Sequence, residues 1–237
     1  MAAFIEKQDY FDIADDTQIV CISSTDGNSA EVAEATGEDG TIVASNVYGE
    51  KLSPSNEYQL KTDYVVSAGD LKLGGVTTVN GKSICLSTID INTSAGSAPT
   101  FNVSGEQVED NSQGGCTFSI PAFTLSKKHH AQILFGAFTF NKVVEDIATG
   151  VHLKSSSYNI SCSVTKGVKE GKCLTHDVIE AKIECSVEFI QTGSTIPSIT
   201  KGNEWEITSP LACSNPDADW PTWSATLTMY LVKDIEA

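Results

Sequence analysis

The residues best suited to chemistry in this sequence fall into three groups. Trp220 and Trp223 lie three positions apart near the C-terminus, where two indole rings could stack a sugar or a base. His129 and His130 are adjacent and could contribute to a metal site. The segment 175–177, Thr-His-Asp, places a base beside a carboxylate.

The spacing of these groups argues against a metal site and against catalysis. Adjacent histidines point to opposite faces of a strand, and on a helix they lie about 100° apart, so they do not chelate one ion. A catalytic triad needs a nucleophile and oxyanion donors, and no Gly-x-Ser-x-Gly elbow, Walker A loop, dinucleotide fingerprint or EF-hand pattern occurs. The sequence predicts a protein that is not an enzyme and has no cofactor or metal.

The tryptophans fit a structural role better than a binding platform. Pro221 between them lacks a backbone donor, which suits the start or the edge of a strand. In an extended segment the odd spacing puts the two rings on opposite faces. Trp223 then joins Ala225 and Leu227 in the core, and Trp220 covers the end of the domain or contacts a partner. A sugar-stacking platform would need both rings on one exposed face, so this alternative is less favoured.

The elements around these residues show a period of two. In 156–165, SSYNISCSVT, and in 181–190, AKIECSVEFI, apolar and polar residues alternate, which predicts two strands with one buried face each. They are expected to pair antiparallel, and 222–232 forms a terminal strand. Asn80-Gly81 between two β-branched runs predicts a hairpin.

The whole pattern predicts an all-β fold, an antiparallel β-sandwich or barrel of roughly ten short strands with long loops. At most one short helix is expected, at 125–138. A chain of 237 residues is compatible with one such domain. Two appendages are predicted: an acidic N-terminal segment at about 1–20, and a long, solvent-exposed hairpin excursion at about 166–180.

Charge restricts the possible functions. The chain has 31 acidic residues and 15 basic ones, all lysine, for a net charge of −16. Arginine is the usual ligand for phosphate, so its absence counts against nucleic-acid recognition and nucleotide enzymes. Residues 1–60 carry 12 acidic and 2 basic side chains, whereas 121–180 carry 5 acidic and 7 basic. If these regions lie on opposite faces, copies of the chain could attract one another head to tail.

The cysteines, the N-terminus and the apolar stretches indicate where in the cell the protein is expected. Seven cysteines occur without a Cys-x-x-Cys motif, which favours buried thiols over a disulfide framework or a zinc site. The N-terminus has no basic region followed by an apolar run, so no secretory signal is predicted. No apolar stretch has the length of a membrane span. We therefore expect a protein that is made in the cytoplasm and does not enter a membrane.

These features together resemble a known family. The strands YNISCSV, KIECSVEFI and WPTWSATLTMYLV in an acidic, signal-less β protein are similar to the virion structural proteins of tailed bacteriophages and prophages, and most of all to tail-tube subunits. The resemblance implies hexameric rings stacked head to tail, in which inner sheets form a lumen through which DNA passes without specific binding. It also implies other virion proteins as partners, synthesis in the bacterial host cytoplasm and a final location in the virion.

Under this resemblance the subunit interface is expected to include Lys166, Lys169, Lys172 and Trp220. Two alternatives stay open. A capsid decoration protein, or another phage head or tail structural protein, would share the composition. A carbohydrate-binding or adhesin-like β-sandwich would need an exposed aromatic platform.

Overall fold

The computed structural model describes residues 8–15, 17–27, 29–36, 41–79, 81–108, 116–128, 131–139, 150–169 and 172–234. Over these residues the fold is all-β, as predicted, and contains no helix. The strands are β1 (Ile19–Thr25), β2 (Ser29–Thr36), β3 (Ile42–Lys51), β4 (Ser55–Leu60), β5 (Tyr64–Val66), β6 (Lys72–Leu73), β7 (Val76–Val79), β8 (Lys82–Ser94), β9 (Ser97–Val108), β10 (Phe118–Ser119), β11 (Phe123–Leu125), β12 (Phe138–Thr139), β13 (Val151–Lys169), β14 (Lys172–Gln191), β15 (Thr200–Lys201), β16 (Glu206–Cys213) and β17 (Thr222–Tyr230).

One large antiparallel sheet, the main sheet, organises the domain. Its strand order is β1-β4-β9-β8-β13-β14-β17-β16, and β7 pairs with the first part of β8. Within the described ranges, the two outer strands β1 and β16 each have a single partner, so the main sheet is open at both edges. The β2–β3 hairpin forms a separate two-stranded sheet.

Three short ladders cover one face of the main sheet. They pair β5 with β11, β6 with β10, and β12 with β15. Their apolar side chains, including Val66, Leu73, Phe123 and Phe138, belong to the same buried cluster as the main sheet. The result is a two-layered arrangement in which the core lies between the main sheet and these ladders.

The period-two pattern correctly identifies the core residues. Tyr158 and Ile160 of β13 are buried, as are Ile183 and Cys185 of β14 and Leu227 of β17. β13 pairs antiparallel with β14, and β14 pairs with β17, as expected. Rings in contact extend across the core in the order Tyr58, Phe101, Phe123, Phe135 and Tyr158.

The predicted hairpin at Asn80-Gly81 is confirmed by the pairing of the strands on either side of it. Val79 of β7 pairs with Lys82 of β8. Gly81 has a φ of +73°, in the left-handed region where glycine avoids the steric cost of a Cβ atom. Asn80 itself lies outside the described residues.

The helix that was considered at 125–138 is not observed in the described part of that segment. β11 ends at Leu125, residues 131–137 are irregular, and β12 begins at Phe138. The irregular chain is held by the sheet below it, because the Leu134 N–H donates to the Tyr158 hydroxyl at 2.8 Å. His129 and His130 lie outside the described residues.

The excursion predicted at 166–180 is regular structure rather than a loop. β13 continues to Lys169 and β14 begins at Lys172, and the two strands pair along this whole stretch. The glycines and lysines of the sequence indicate an exposed loop, but cross-strand hydrogen bonding extends the hairpin instead. Gly167 takes part in this ladder opposite Thr175.

The described part of the acidic N-terminal segment is fixed by its own carboxylates. Asp9 accepts hydrogen bonds from the backbone N–H groups of Phe11, Ile13 and Ala14. Asp15 accepts one from the Gln18 N–H at 2.6 Å, and this bond leads the effects that hold its pKa at about 2. Both aspartates therefore act within the subunit.

Candidate assembly surfaces

The strand register defines two opposite ends of the main sheet. At one end, Thr25 of β1 pairs with Ser55, and the register continues through Ser104 and Thr88 to Ser161 of β13. Beyond this line the chain leaves the main sheet as two hairpins, β2–β3 and the distal part of β13–β14. We call this the hairpin end.

The other end of the main sheet carries the tryptophans. Trp223 lies near the start of β17, where it pairs with Phe189, and Trp220 precedes that strand. The turn between Ser94 of β8 and Ser97 of β9 lies at the same end. We call it the tryptophan end.

This placement bears on the predicted head-to-tail attraction. That prediction holds if the acidic first sixty residues and the lysine-rich segment 121–180 lie on opposite faces. The hairpins that contain Glu31 and Lys169 instead leave the same end of the main sheet. These two hairpins are therefore placed for contact between neighbours side by side. Asp15, which accepts a hydrogen bond from the Ile19 N–H, lies at the opposite end of β1, so head-to-tail attraction stays a prediction.

The face of the main sheet that points away from the core is polar across its full width. One row of side chains, paired residue by residue, crosses all eight strands of the ordered path. We call it the polar row; it comprises Ser23, Glu57, Asn102, Asp90, Asn159, Glu184, Thr228 and Glu206.

The polar row contains four carboxylates and no cation. Its centre is hydrogen-bonded, since the Asn159 side-chain amide donates to Asp90 at 2.8 Å and the Ser161 hydroxyl donates to Asn159 at 2.8 Å. The next row towards the tryptophan end contains uncharged hydroxyl and amide side chains, among them Asn92 and Ser157. This face is therefore hydrophilic and negatively charged.

Lys166, which the sequence predicts at a subunit interface, forms an ion pair within the subunit. Its Nζ lies 2.8 Å from Glu106 Oε2 on β9, and its side chain is only 16% exposed. The pairing requires the tertiary fold, because 60 residues separate the two in sequence. Lys169 and Lys172 face each other in the ladder at the end of the hairpin, and their side chains lie outside the described part.

His176 is buried, in contrast to the exposed position predicted for its segment. It is 5% exposed and pairs across the ladder with Lys166. Burial lowers its pKa from the usual 6.5. Asp177 accepts a hydrogen bond from Cys116, which leads the effects that lower its own pKa.

The two tryptophans occupy the separate environments expected from their spacing. Trp223 packs partly buried against the core, and its indole N–H donates to Gln191 Oε1 at 2.9 Å. Trp220 is 66% exposed. Trp205 is a core residue that the sequence analysis does not identify. It is buried, and its indole N–H donates to the Phe135 carbonyl at 3.3 Å. The only sequence feature that indicates it is the short strand-like segment EWEIT.

A group of exposed apolar side chains at the hairpin end was also missed. Tyr230 ends β17, and Val232 follows it alongside the distal part of β14, where Leu231 N donates to the Ala181 carbonyl at 2.9 Å. Ile179 of β14 is also exposed. Ile207 of β16 is exposed too, but it pairs with the core residue Leu227 and therefore lies on the other face. We call Ile179, Tyr230 and Val232 the apolar step.

Other chemical sites are not found in the described ranges. No cluster of three metal-ligating side chains occurs there, and no helix there could cross a membrane. Burial raises the pKa of Cys85 to about 11 and those of Cys162 and Cys185 to about 12, so these thiols are poor nucleophiles.

Comparison with protein-family models and with curated proteins finds no match to this chain.

Proposed function

We propose that this protein is a structural subunit that assembles into rings, and that stacked rings form the tube of a bacteriophage tail. The observation that carries the proposal is the polar row, which crosses the whole main sheet on the face opposite the core. Such a face suits the wall of a water-filled channel, because its exposed groups can be solvated without loss of core packing. Within the row Thr228 is buried, with its hydroxyl 3.3 Å from that of Thr208.

The charge of this face supports a channel for DNA in particular. Lysine and arginine retain DNA by neutralising phosphates and releasing counterions. The polar row has no cation, and the chain has no arginine. Beside the row, Lys154 and Lys182 each form an ion pair, with Glu188 and Glu184 respectively. A duplex would therefore pass along this face without being bound, which is the property required of a conduit.

The open edges of the main sheet support assembly. An exposed strand edge presents backbone groups that pair with other chains unless they are covered. Placing β1 of one copy against β16 of the next would cover both edges in a closed ring. Pro210 and two register shifts in β16 prevent a continuous ladder there, so side chains must contribute much of this contact.

The test is electron microscopy of negatively stained protein over a concentration series, with mass photometry of the same samples. Rings or tubes with a central channel are the expected result. A protein that stays monomeric at every concentration would contradict the proposal. Closed trimers without a channel would favour a capsid decoration protein.

The exposure of Trp220 favours a second candidate, a carbohydrate-binding module. Its test is a glycan array with the wild-type protein and with Trp220→Ala. Binding that is lost in this variant would support glycan recognition. Absence of glycan binding, together with ring formation, would leave Trp220 as a candidate for contacts between stacked rings.

A further inference from the structure

The distal part of the β13–β14 hairpin has an unusual surrounding. β14 pairs with β17 only from Lys182 onward, so residues 172–181 have no second neighbouring strand in the described part of the chain. On this side β17 ends at Tyr230 and β16 begins at Glu206. The distal hairpin therefore extends beyond the ends of β16 and β17, and the apolar step lies beside its base.

The apolar step lies where β17 continues beyond the start of β16, and Tyr230 shares the face of its partner Lys182. Tyr230 is 62% and Val232 84% exposed. Large apolar groups in one exposed cluster mark contact surfaces. In a ring of adjacent main sheets, the β16 side of the domain faces the β1 edge of the next copy.

In such a ring, the next copy brings its β2–β3 hairpin, which follows β1, to the side of the apolar step. It leaves the main sheet from β1 and β4 at the hairpin end. β2 has eight residues, and β13 continues eight residues beyond Ser161, so each hairpin can extend about 26 Å. The described strands of the two hairpins are therefore of similar length.

The charges of the two hairpins are complementary. Residues 29–51 contain five acidic residues and one lysine, a net charge of −4. Residues 166–172 at the end of the β13–β14 hairpin contain three lysines and one glutamate. Because Glu106 already pairs with Lys166, the lysines left for a partner exceed the glutamate by one positive charge. The acidic hairpin also presents an exposed apolar side chain, Ile42.

We infer that the β2–β3 hairpin of one copy docks beside the β13–β14 hairpin of its ring neighbour, over the apolar step, with a second copy of this chain as the partner. This inference rests on the proposed ring assembly and specifies its lateral contact. Within one subunit the extensions of β7, β8 and β9 stand between the two hairpins, whereas on the neighbour's side β17 pairs with β14 only from Lys182 onward.

The decisive experiment mixes two charge variants of the full chain. Lys169→Glu/Lys172→Glu makes both hairpins acidic, and Glu31→Lys/Glu34→Lys reduces the acidity of β2–β3 and adds cations there. Lys166 is kept, since replacing it would leave Glu106 facing another carboxylate. Each variant alone should need about tenfold more protein to assemble, whereas an equal mixture should assemble at the wild-type concentration.

Controls separate this contact from general charge and folding effects. Lys128→Glu/Lys201→Glu changes the net charge equally at two exposed lysines elsewhere and should assemble as the wild type does. Tyr230→Ala/Val232→Ala should also weaken assembly, whereas Ile196→Ala at the tryptophan end should not. Thermal unfolding of each variant verifies that it is folded.

The outcomes distinguish this inference from the ring proposal. If the wild type forms rings and both charge variants assemble as it does, the lateral contact is overturned and the ring proposal is not. The same holds if each variant is weakened and mixing does not restore assembly. A wild-type protein that forms no rings would overturn both.

Discussion

The two faces of the main sheet are built from the same strands and differ in almost everything else. One face packs aromatic and aliphatic side chains against three short ladders. The other presents serine, threonine, asparagine and carboxylate side chains to solvent. Because successive residues alternate between the faces, neighbours in sequence such as Ile91 and Asn92 experience opposite environments.

This difference separates stability from the proposed assembly function. Burial of apolar surface supplies the main driving force for folding, so the core face tolerates little change. The polar face contributes little to folding and can be altered while the domain stays intact. Substitutions on the two faces should therefore have distinct consequences.

The largest expected effect comes from shortening a core side chain. Ile91→Ala removes a fully buried side chain and should lower the free energy of unfolding by about 2–5 kcal/mol. Asn92→Ala, its neighbour on the polar face, should change that free energy by less than about 0.5 kcal/mol. Urea denaturation measures both; equal losses would show that the two faces are not energetically distinct.

A smaller effect is expected at a polar cluster on the core face. The Gln132 N–H donates to the Thr93 hydroxyl at 3.1 Å, and that hydroxyl lies 2.7 Å from the Ser156 hydroxyl. Thr93→Val removes the acceptor of the Gln132 N–H, whereas the Ser156 hydroxyl keeps its bond to the Gln132 carbonyl. We expect a cost of about 1–3 kcal/mol in urea denaturation. Thr226→Val on the polar face is the matched control and should cost less than about 0.5 kcal/mol.

A pH-dependent effect is expected from His176. Because burial lowers its pKa in the folded state, the unfolded chain binds the proton more readily. The histidine therefore favours folding at pH values above its ordinary pKa of 6.5, and this stability is lost as the pH falls from 6.5 towards the folded-state pKa. Relative to the intrinsic exchange rate, which itself falls with the pH, hydrogen exchange of the distal β13–β14 amides should become faster as the pH falls over this range.

His176→Gln should remove this pH dependence. His152→Gln is the control, because His152 is more exposed, and it should leave the dependence in place. If exchange in the His176→Gln variant still accelerates with acidification, another group is responsible.

Substitutions in the polar row should have the smallest effect on stability, but they should change DNA binding. Asp90→Lys/Glu184→Lys replaces two of its carboxylates with cations and should leave the fold intact. The variant should bind duplex DNA with a strong dependence on salt, whereas the wild type should not. A gel-shift titration at two salt concentrations measures this, and a wild type that binds DNA equally well would contradict the proposed conduit.

Predictions from the sequence were most accurate where they depended on neighbouring residues. Alternation identified β13, β14 and β17 with their buried faces, and Asn80-Gly81 marked the β7–β8 turn. They were less accurate about the environment of individual residues. The hairpin excursion expected at 166–180 is a hairpin of paired strands, but His176 within it is buried and not exposed.

The assembly surfaces could be predicted only in part. Trp220 was correctly expected to lie outside the core, since its spacing from Trp223 and the adjacent proline are local features. Lys166 was expected at an interface, but Glu106 from another strand neutralises it. The apolar step combines residues from β14, β17 and the chain after β17, so no single segment of the sequence indicates it.

The amino-acid sequence by itself determined the all-β class, the faces of the longest strands and the acidic, arginine-free character of the protein. These properties follow from side-chain alternation and composition, which are local or additive. The tertiary structure alone decided the strand order, the polar row across all eight strands and the departure of both long hairpins from the same end. These depend on register between strands far apart in sequence, which is set by long-range packing and hydrogen bonding.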